Sequence, residues 1–212
     1  WDEKYGAFYT QDAMRGLIRY AAVRNIEIIP EINLPGHALA LTASYPETFC
    51  STSTATDESE MTDITVTGNV VCVGREKNFE MIRDILHEVA ALFPSHYLHL
   101  GGDEVSTRYW QKCPRCQELM KAQGMKSANE LFEYFVDRVE KIAHEEGKRC
   151  IFWDEALSSD LSTHTLVSGW HDLATCKKAI TQEQPVVVMP ASYCYIDMKQ
   201  NAFERGHTWA WL

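Results

Sequence analysis

The fold is decided by one stretch of the chain, Tyr97-Leu98-His99-Leu100-Gly101-Gly102-Asp103-Glu104. Its first half is a short apolar strand, and the pair of glycines lets the backbone turn sharply where the strand ends. Two adjacent carboxylates therefore stand at the C-terminal end of a strand, which is where β/α barrels mount their catalytic groups. We interpret Glu104 as a general acid and Asp103 as its partner. The alternative interpretation is a helix N-cap beside a surface acid.

Short apolar segments alternate with helical patterns on both sides of this stretch. The predicted strands cover residues 26–29, 97–100, 150–152, 165–167 and 185–188. Such alternation favours a parallel sheet covered by helices. A polar or aromatic cluster follows most of these strands, whereas a doubly wound sheet would concentrate its ligand groups at one switch point. The predicted fold class is therefore α/β, of the (β/α)8 TIM-barrel type.

The predicted barrel is incomplete within this sequence. A closed barrel has eight strands and takes about 250 residues, whereas this chain of 212 residues offers about five predicted strands. We expect residues 1–212 to be part of a single catalytic barrel, with the first two strands and the last one outside the chain. Residues 50–72 include a Ser/Thr-rich run, and we predict a surface insertion there.

Composition limits the possible partners. The formal net charge of −10 argues against nucleic acid and against anionic membrane surfaces, because binding phosphates requires clustered Lys and Arg. The sequence contains no apolar run long enough for a membrane span. Its six tryptophans suit the flat faces of sugar rings, although core packing is the ordinary role of Trp.

The seven cysteines do not form a recognisable metal or disulfide pattern. Cys113 and Cys116 have the spacing of half a zinc site, but no second CxxC or HxxxH pair follows them. Cys50 and Cys72 flank the polar run and are candidates for a disulfide in an oxidising compartment. We expect no metal site and no cofactor. A metal bound by His37, His99, Asp103 and Glu104 is the less favoured alternative.

The chemistry of a glycosidase fits these residues, but one geometric requirement stays open. A carboxylic acid that protonates a glycosidic oxygen must hold its proton near working pH, which a neighbouring carboxylate and aromatic walls promote. Neighbours at a strand end tend to point apart, so Asp103 and Glu104 are poorly placed to face each other as acid and nucleophile. The nucleophile is then Asp154 or Glu155, or the substrate supplies it.

The sequence resembles glycoside hydrolase family 20, the β-N-acetylhexosaminidases. The matching motifs occur in the family's order along nearly the whole chain. They are Pro30-Glu31-Ile32, Pro35-Gly36-His37, residues 99–104, Trp153, Gly169-Trp170, Tyr195-Ile196-Asp197-Met198-Lys199 and Trp209.

The resemblance implies a retaining exo-enzyme acting on terminal β-linked GlcNAc or GalNAc, in which the substrate's 2-acetamido oxygen attacks the anomeric carbon to give an oxazolinium intermediate. In that mechanism Glu104 is the acid and base, Asp103 holds the acetamido N–H, and Tyr195 bonds its carbonyl oxygen. His37 tunes Glu104, and Asp197 contacts a sugar hydroxyl. The aromatic walls of the acetamido pocket and the sugar site are Trp153, Trp170 and Trp209.

Two departures from the family pattern are visible. Asn33 stands where many members carry Asp, and we expect it to alter a loop hydrogen bond without removing an assigned role. The family's sugar-gripping Arg on the first strand and the acidic residue after the last strand have no counterpart here. We therefore expect the isolated 212 residues to be weakly active or inactive, with the rest of the parent chain completing the barrel.

Two other functions remain open at this point. One is a two-carboxylate glycosidase that pairs Glu104 with Asp154 or Glu155, and the other is a carbohydrate-binding barrel without catalysis. The expected partners are N-acetylhexosamine-terminated glycans or chitooligosaccharides, and neither nucleic acid nor a membrane. The expected location is secreted or periplasmic.

Overall fold

The computed structural model describes residues 8–50, 70–196, 199 and 203. Its strands are β1 (Tyr97–His99), β2 (Arg149–Trp153), β3 (Leu166–Gly169) and β4 (Val186–Val188). Its α-helices are α1 (Gln11–Ala22), α2 (Leu39–Ser44), α3 (Glu76–Leu92), α4 (Arg108–Lys112), α5 (Pro114–Ala122), α6 (Ala128–Glu145), α7 (Leu173–Thr181) and α8 (Ala191–Cys194). Short 3-10 helices cover Pro46–Thr48 and Asp154–Ser158.

The four strands form one parallel sheet in the order β1-β2-β3-β4. Leu98 of β1 pairs with Cys150 of β2, and Phe152 of β2 pairs with Val167 of β3. Strands that follow each other in chain order without a reversal form the wall of a barrel, since a doubly wound sheet reverses its order at a switch point. The predicted sheet and its direction are confirmed for the four strands of the described chain.

The predicted strand at residues 26–29 is wrong. No strand is assigned to these residues, and Ile26 is 56% exposed. Pairing with β1 begins only at Pro30, whose carbonyl oxygen accepts a 3.0 Å hydrogen bond from the His99 N–H. Glu31 then forms a single parallel bridge with His99. Backbone pairing with β1 therefore starts after the apolar run at residues 26–29 has ended. The loop that carries His37 follows directly.

Capping side chains fix the starts of α1 and α6. Thr10 accepts a 3.1 Å hydrogen bond from the N–H of Ala13 and begins α1. Ser127 accepts one of 3.2 Å from the N–H of Glu130 and begins α6. The Glu130 carboxylate in turn accepts a 3.1 Å hydrogen bond from the N–H of Lys126, which makes the arrangement a variant of the capping box.

The core lies between the sheet and the helices α3 and α6. Phe79 and Leu86 of α3 are buried, as are Leu131 and Phe135 of α6. The rings of Phe79 and Phe135 lie 5.7 Å apart, at the seam between the two helices. Burying one such side chain contributes about 1.5–3 kcal/mol. This layer holds β1 and β2 in place and thereby fixes the strand ends that carry the functional side chains.

The two ends of the predicted surface insertion at residues 50–72 are buried and do not lie at the surface. Cys50 and Val70 to Cys72 are buried in the main core, and Phe49 forms an antiparallel bridge with Val71. At the second end, the indole N–H of the buried Trp110 donates a 2.9 Å hydrogen bond to the Val71 carbonyl. Residues 51–69 lie outside the described chain.

Among the described residues, no helix has the length and apolar character needed to cross a membrane.

Candidate active site

The candidate active site lies at the C-terminal ends of the parallel strands. Residues 99–104 lead out of β1, Trp153 ends β2, and Trp170 follows β3. Residues 30–38 enter beside β1 through the bridge at Glu31, and Tyr195 follows α8 beyond β4. Side chains from several separate chain segments are thus available along one edge of the sheet.

His37 joins the two carboxylates of the glycine-rich turn. Its Nε2 lies 3.2 Å from a carboxylate oxygen of Asp103 and 3.3 Å from one of Glu104. The Asp103 side chain is 17% exposed and the Glu104 side chain 60%. The structure therefore places Asp103 as the sheltered carboxylate and Glu104 as the one open to a ligand.

The turn that delivers these carboxylates depends on Gly101. Its φ is +74°, and a Cβ atom there would lie 1.9 Å from the side-chain oxygen of Asn33, closer than any real contact. Gly102 (φ +97°) and Glu104 (φ 50°) also have positive φ, so the alternation of a strand is lost. For this reason Asp103 and Glu104 converge on His37. The expectation that these neighbours point apart is wrong.

Asn33 is a direct partner of Asp103. Its side-chain amide donates a 2.8 Å hydrogen bond to the Asp103 carboxylate and a longer one, 3.4 Å, to the carboxylate of Glu31. Glu31 in turn accepts a 3.0 Å hydrogen bond from the indole N–H of Trp153. Asp103 is thereby oriented from two sides, by Asn33 and by His37. The expectation that Asn33 removes no assigned role stays a prediction, and the contact with Asp103 is one that the sequence did not indicate.

His99 supports the same turn from inside the sheet. Its Nδ1 accepts a 3.1 Å hydrogen bond from the N–H of Gly101, and its ring lies 4.8 Å from that of Trp153. Burial lowers the pKa of His99 and favours the neutral ring. Among the described residues, His99 is not part of any group whose ligand atoms lie close enough together to hold a metal ion.

Asp154 is fully engaged in holding the end of β3. Its buried carboxylate accepts hydrogen bonds from the N–H groups of Trp170 (3.0 Å) and His171 (3.1 Å). A ring nitrogen of His171 also lies 2.6 Å from its second oxygen. Although burial opposes the charge on His171, the hydrogen bond to Asp154 raises the pKa of that ring above its ordinary value. Asp154 is therefore a positioning residue for Trp170.

Glu155 links the turn after β1 to the end of β3. One of its carboxylate oxygens accepts the N–H of Glu104 at 3.2 Å, and the other accepts the indole N–H of Trp170, also at 3.2 Å. Burial raises the pKa of the Glu155 carboxyl, and these hydrogen bonds oppose the rise. Because both oxygens are used in positioning neighbours, Glu155 is not presented as a nucleophile.

Two aromatic side chains stack beside these carboxylates. The rings of Trp170 and Tyr195 lie 6.2 Å apart at an interplanar angle of 18°. Trp170 is 8% exposed and therefore offers little surface of its own to a ligand. Asp197 and Trp209, which the sequence analysis assigned to substrate binding, lie outside the described residues.

With this geometry defined, comparison with known proteins decides the family. The model of glycosyl hydrolase family 20, catalytic domain, matches residues 1–212. The chain belongs to this family. The resemblance inferred from the motifs is therefore confirmed, and the fold is of the TIM-barrel type, here with four parallel strands among the described residues.

Relatives of this family 20 chain are longer proteins. It is 37% identical over 192 residues to a β-hexosaminidase of Porphyromonas gingivalis, covering 89% of this chain and 24% of that protein. It is 36% identical over 212 residues to a β-hexosaminidase of Vibrio furnissii, covering 98% and 34%. Among solved structures, the exo-β-N-acetylglucosaminidase of Vibrio harveyi in complex with N-acetylglucosamine matches with a TM-score of 0.86 and 36% identity, covering 97% of this chain and 32% of that one. The chain thus spans about a quarter to a third of the curated relatives named here.

Within this family 20 site, sequence reasoning missed the residues that act on other side chains. Asn33 contacts Asp103 at 2.8 Å, and His171 contacts the candidate nucleophile Asp154 at 2.6 Å. Asn33 lies in the Pro30-to-His37 motif and His171 directly follows the Gly169-Trp170 motif, so adjacency to a motif was the available signal. Pairing each with its carboxylate required the fold, because 70 and 17 positions separate the partners.

Three ligand atoms of His37, Asp103 and Glu104 lie close enough together to hold a metal ion, within 4.8 Å of one another. The same is true of Asp154, Glu155 and His171. Both sets are accounted for by the hydrogen bonds described above. The expectation that the active site binds no metal stays a prediction.

Proposed function

We propose that the protein containing this chain is a retaining exo-β-N-acetylhexosaminidase that removes terminal β-linked GlcNAc or GalNAc by substrate-assisted catalysis. The observation that carries the proposal is the convergence of Asp103 and Glu104 on His37, with Nε2 distances of 3.2 Å and 3.3 Å. A sheltered carboxylate next to an exposed one suits two roles on one substrate. Family 20 is also a known exception to the two-carboxylate rule for glycosidases.

In the proposed first step Glu104 gives its proton to the glycosidic oxygen. The bond from that oxygen to C1 breaks, and the carbonyl oxygen of the 2-acetamido group forms a bond to C1, giving the oxazolinium ring. Asp103 accepts a hydrogen bond from the amide N–H, on which positive charge develops. Asn33 and His37 hold Asp103 in place for this contact.

In the second step Glu104, now a carboxylate, takes a proton from water. The water oxygen attacks C1, the ring opens, and the acetamido group is restored, so that two inversions give net retention. Tyr195 is proposed to bond the acetamido oxygen, beside the wall formed by Trp170. Trp153 is proposed to form a further wall of the sugar site. Asp197 and Trp209 keep their expected roles at a sugar hydroxyl and a sugar face.

The engagement of the other carboxylates argues against a protein nucleophile. A two-carboxylate retaining enzyme needs a second carboxylate about 5–5.5 Å from the acid and facing it across the bond. Both oxygens of Asp154 and both oxygens of Glu155 already accept hydrogen bonds from the protein. The substrate's own amide supplies the missing group.

The test is a pair of aryl glycosides given to the full protein, one the N-acetyl-β-glucosaminide and the other the β-glucoside without the acetamido group. We expect cleavage of the first with retention at C1, followed by NMR, and at least about a hundredfold lower kcat/KM for the second, a loss of roughly 2.7 kcal/mol of transition-state stabilisation. Equal rates would support the two-carboxylate alternative. Binding of N-acetylglucosamine without turnover of either glycoside would support the non-catalytic alternative.

We also propose that the enzyme acts outside the cytosol, on glycans or chitooligosaccharides. This location was inferred partly from a possible Cys50–Cys72 disulfide, and both residues are free thiols in the structure. The proposed location now depends on the substrate class alone, and cell fractionation tests it.

A further inference from the structure

Four cysteines that are scattered along the sequence meet in the core, away from the carboxylate site. They are Cys50, Cys72, Cys113 and Cys116, with exposures of 3%, 0%, 1% and 0%. Each offers one sulfur, and these four sulfurs all lie within 4.8 Å of one another. Three of the separations, Cys50–Cys116, Cys72–Cys113 and Cys72–Cys116, are 3.7 Å each.

These separations are those of a tetrahedral metal site. With zinc–sulfur bonds of about 2.3 Å, the sulfurs at the corners of a tetrahedron lie about 3.8 Å apart. A disulfide would instead hold two sulfurs at about 2.05 Å, and all four residues are free thiols. The sulfur of Cys72 is equally distant from those of Cys113 and Cys116, so the four cysteines are not arranged as two separate disulfide-forming pairs.

The backbone around the cluster is closely fitted. Cys113 is the N-cap of α5, and Pro114 occupies the first turn, so the Cys113-to-Cys116 segment is a rigid helix start. Gly74 lies against this segment, and a Cβ there would be 2.3 Å from the carbonyl carbon of Arg115. Only glycine permits the chain leaving Cys72 to pass so close to the helix start.

A buried amide fixes the other side of the cluster. The side chain of Asn78 donates to the carbonyl of Thr48 at 2.9 Å and to that of Cys72 at 2.8 Å. The N–H of Cys72 donates to the same Thr48 carbonyl at 2.8 Å. Cys50 and Cys72 lie on two chain segments that precede α3, and these hydrogen bonds hold the two segments side by side. The contacts are made at Thr48, two residues before Cys50, and at Cys72 itself.

We propose that Cys50, Cys72, Cys113 and Cys116 bind one structural zinc ion. Four sulfurs complete the coordination that zinc prefers and leave no open position, which is the arrangement of a structural site and not of a catalytic one. Zinc suits this geometry because soft thiolate ligands and a tetrahedral site select it. The proposal replaces our sequence-based expectation of no metal, which looked for the second cysteine pair at finger spacing after Cys116.

The ion would support the active site through a backbone hydrogen bond next to the cluster. Val71, next to Cys72, donates its N–H to the carbonyl of Pro35 at 2.9 Å. Pro35 lies two positions before His37, the residue that contacts Asp103 and Glu104. Zinc at the cluster would therefore stabilise the loop that holds His37, without touching the substrate.

The test is metal analysis of the full protein, purified without chelator and without added reductant. We expect about one zinc per chain by inductively coupled plasma mass spectrometry, and an X-ray absorption spectrum with four sulfurs at about 2.3 Å. A shell of nitrogen and oxygen would instead place the metal at His37, Asp103 and Glu104, and would overturn the proposal. Growth with cobalt in place of zinc should give the intense visible bands of a tetrahedral thiolate site.

Variants separate this cluster from the other cysteines. Cys116→Ser and Cys72→Ser should lose the zinc and lower the melting temperature. Cys150→Ser, which changes an equally buried cysteine in β2, should retain it. Wild-type protein that is free of metal, whether its four thiols are reduced or joined in disulfides by intact mass, would overturn the proposal, as would iron in place of zinc. The wild-type measurements decide the question even if the serine variants fail to fold.

Discussion

The side-chain amide of Asn33 donates a 2.8 Å hydrogen bond to the carboxylate of Asp103, across 70 positions of sequence. This contact orients one oxygen of Asp103 while His37 faces the other. In the proposed mechanism Asp103 must present its charge to the substrate's amide N–H at a fixed position. Asn33 is therefore a positioning residue, and its substitution should alter the rate without removing a reacting group.

We expect Asn33→Ala to lower kcat on an N-acetyl-β-glucosaminide by about tenfold to a hundredfold, since a hydrogen bond to a charged group contributes about 1.5–3 kcal/mol. Asn33→Asp should act differently, because two carboxylates at this distance must share a proton. The added carboxylate raises the pKa of Asp103, which must be ionised to hold the amide N–H. The acid limb of its activity profile should therefore lie at higher pH than that of the wild type. The pH profile of kcat/KM measures this, and an unshifted profile would show that the two side chains do not interact.

Glu104→Gln should lower kcat by about 10² to 10⁴ if Glu104 supplies the proton in the transition state. The loss should be small for aryl leaving groups that need no proton and large for a disaccharide. Glu155→Gln is the matched control, because it changes a neighbouring carboxyl whose oxygens accept the Glu104 N–H and the Trp170 indole N–H. If both variants show the same dependence on the leaving group, Glu104 is not the acid.

Asp103→Asn should cost a loss of kcat comparable to that of Glu104→Gln, because the developing charge on the acetamido group would lose its partner. It should also weaken inhibition by a thiazoline mimic of the cyclic intermediate. Inhibition constants of wild type and variant measure this effect. Unchanged inhibition together with a normal rate would remove Asp103 from the mechanism.

Gly101→Ala should destabilise the fold and abolish activity. The new methyl group meets Asn33 at 1.9 Å and the backbone has a φ of +74°. Gly147→Ala is the matched control, since Gly147 has a φ of +73° with no atom within 4 Å of the added Cβ. The control should cost about 1 kcal/mol for the backbone conformation alone. Thermal melts of the two variants give the cost of the clash as their difference, and equal shifts would contradict the close contact with Asn33.

The pair of His171 and Asp154 should make stability depend on pH. The pKa of His171 is raised in the folded protein, so the stability it contributes is fully present below about pH 6.5, its unfolded value, and is lost as the pH rises through the folded value. His171→Gln should remove this decline, whereas the exposed His164→Gln should retain it. Melting temperatures across neutral and mildly alkaline pH measure the difference, and parallel curves for wild type and His171→Gln would refute it.

The architecture was accessible from sequence because it depends on local patterns. Short apolar runs and helical periodicity located most of the elements. The strand at residues 26–29 was misplaced because its apolar run precedes the hydrogen-bonded segment, which begins at Pro30. Apolar composition alone does not say where backbone pairing starts.

Side-chain convergence was harder to predict. The family motifs located Asp103, Glu104 and His37, but the positive φ values at Gly101, Gly102 and Glu104 decide that the carboxylates meet. The cysteine cluster escaped notice for a similar reason. Its members come from three places in the chain, and only tertiary packing brings Cys50 and Cys72 to the start of α5.

The bridge between Phe49 and Val71 marks a place where added residues should disturb the fold less than they would in the barrel wall. Because Phe49 and Val71 are held side by side, doubling the length of a flexible loop that joins them would cost about 0.6 kcal/mol of loop-closure entropy. We therefore expect an engineered epitope to be tolerated better between Cys50 and Val70 than within the barrel wall, provided that both of these buried residues are kept. The position offers a handle for labelling the protein at little cost to its folding.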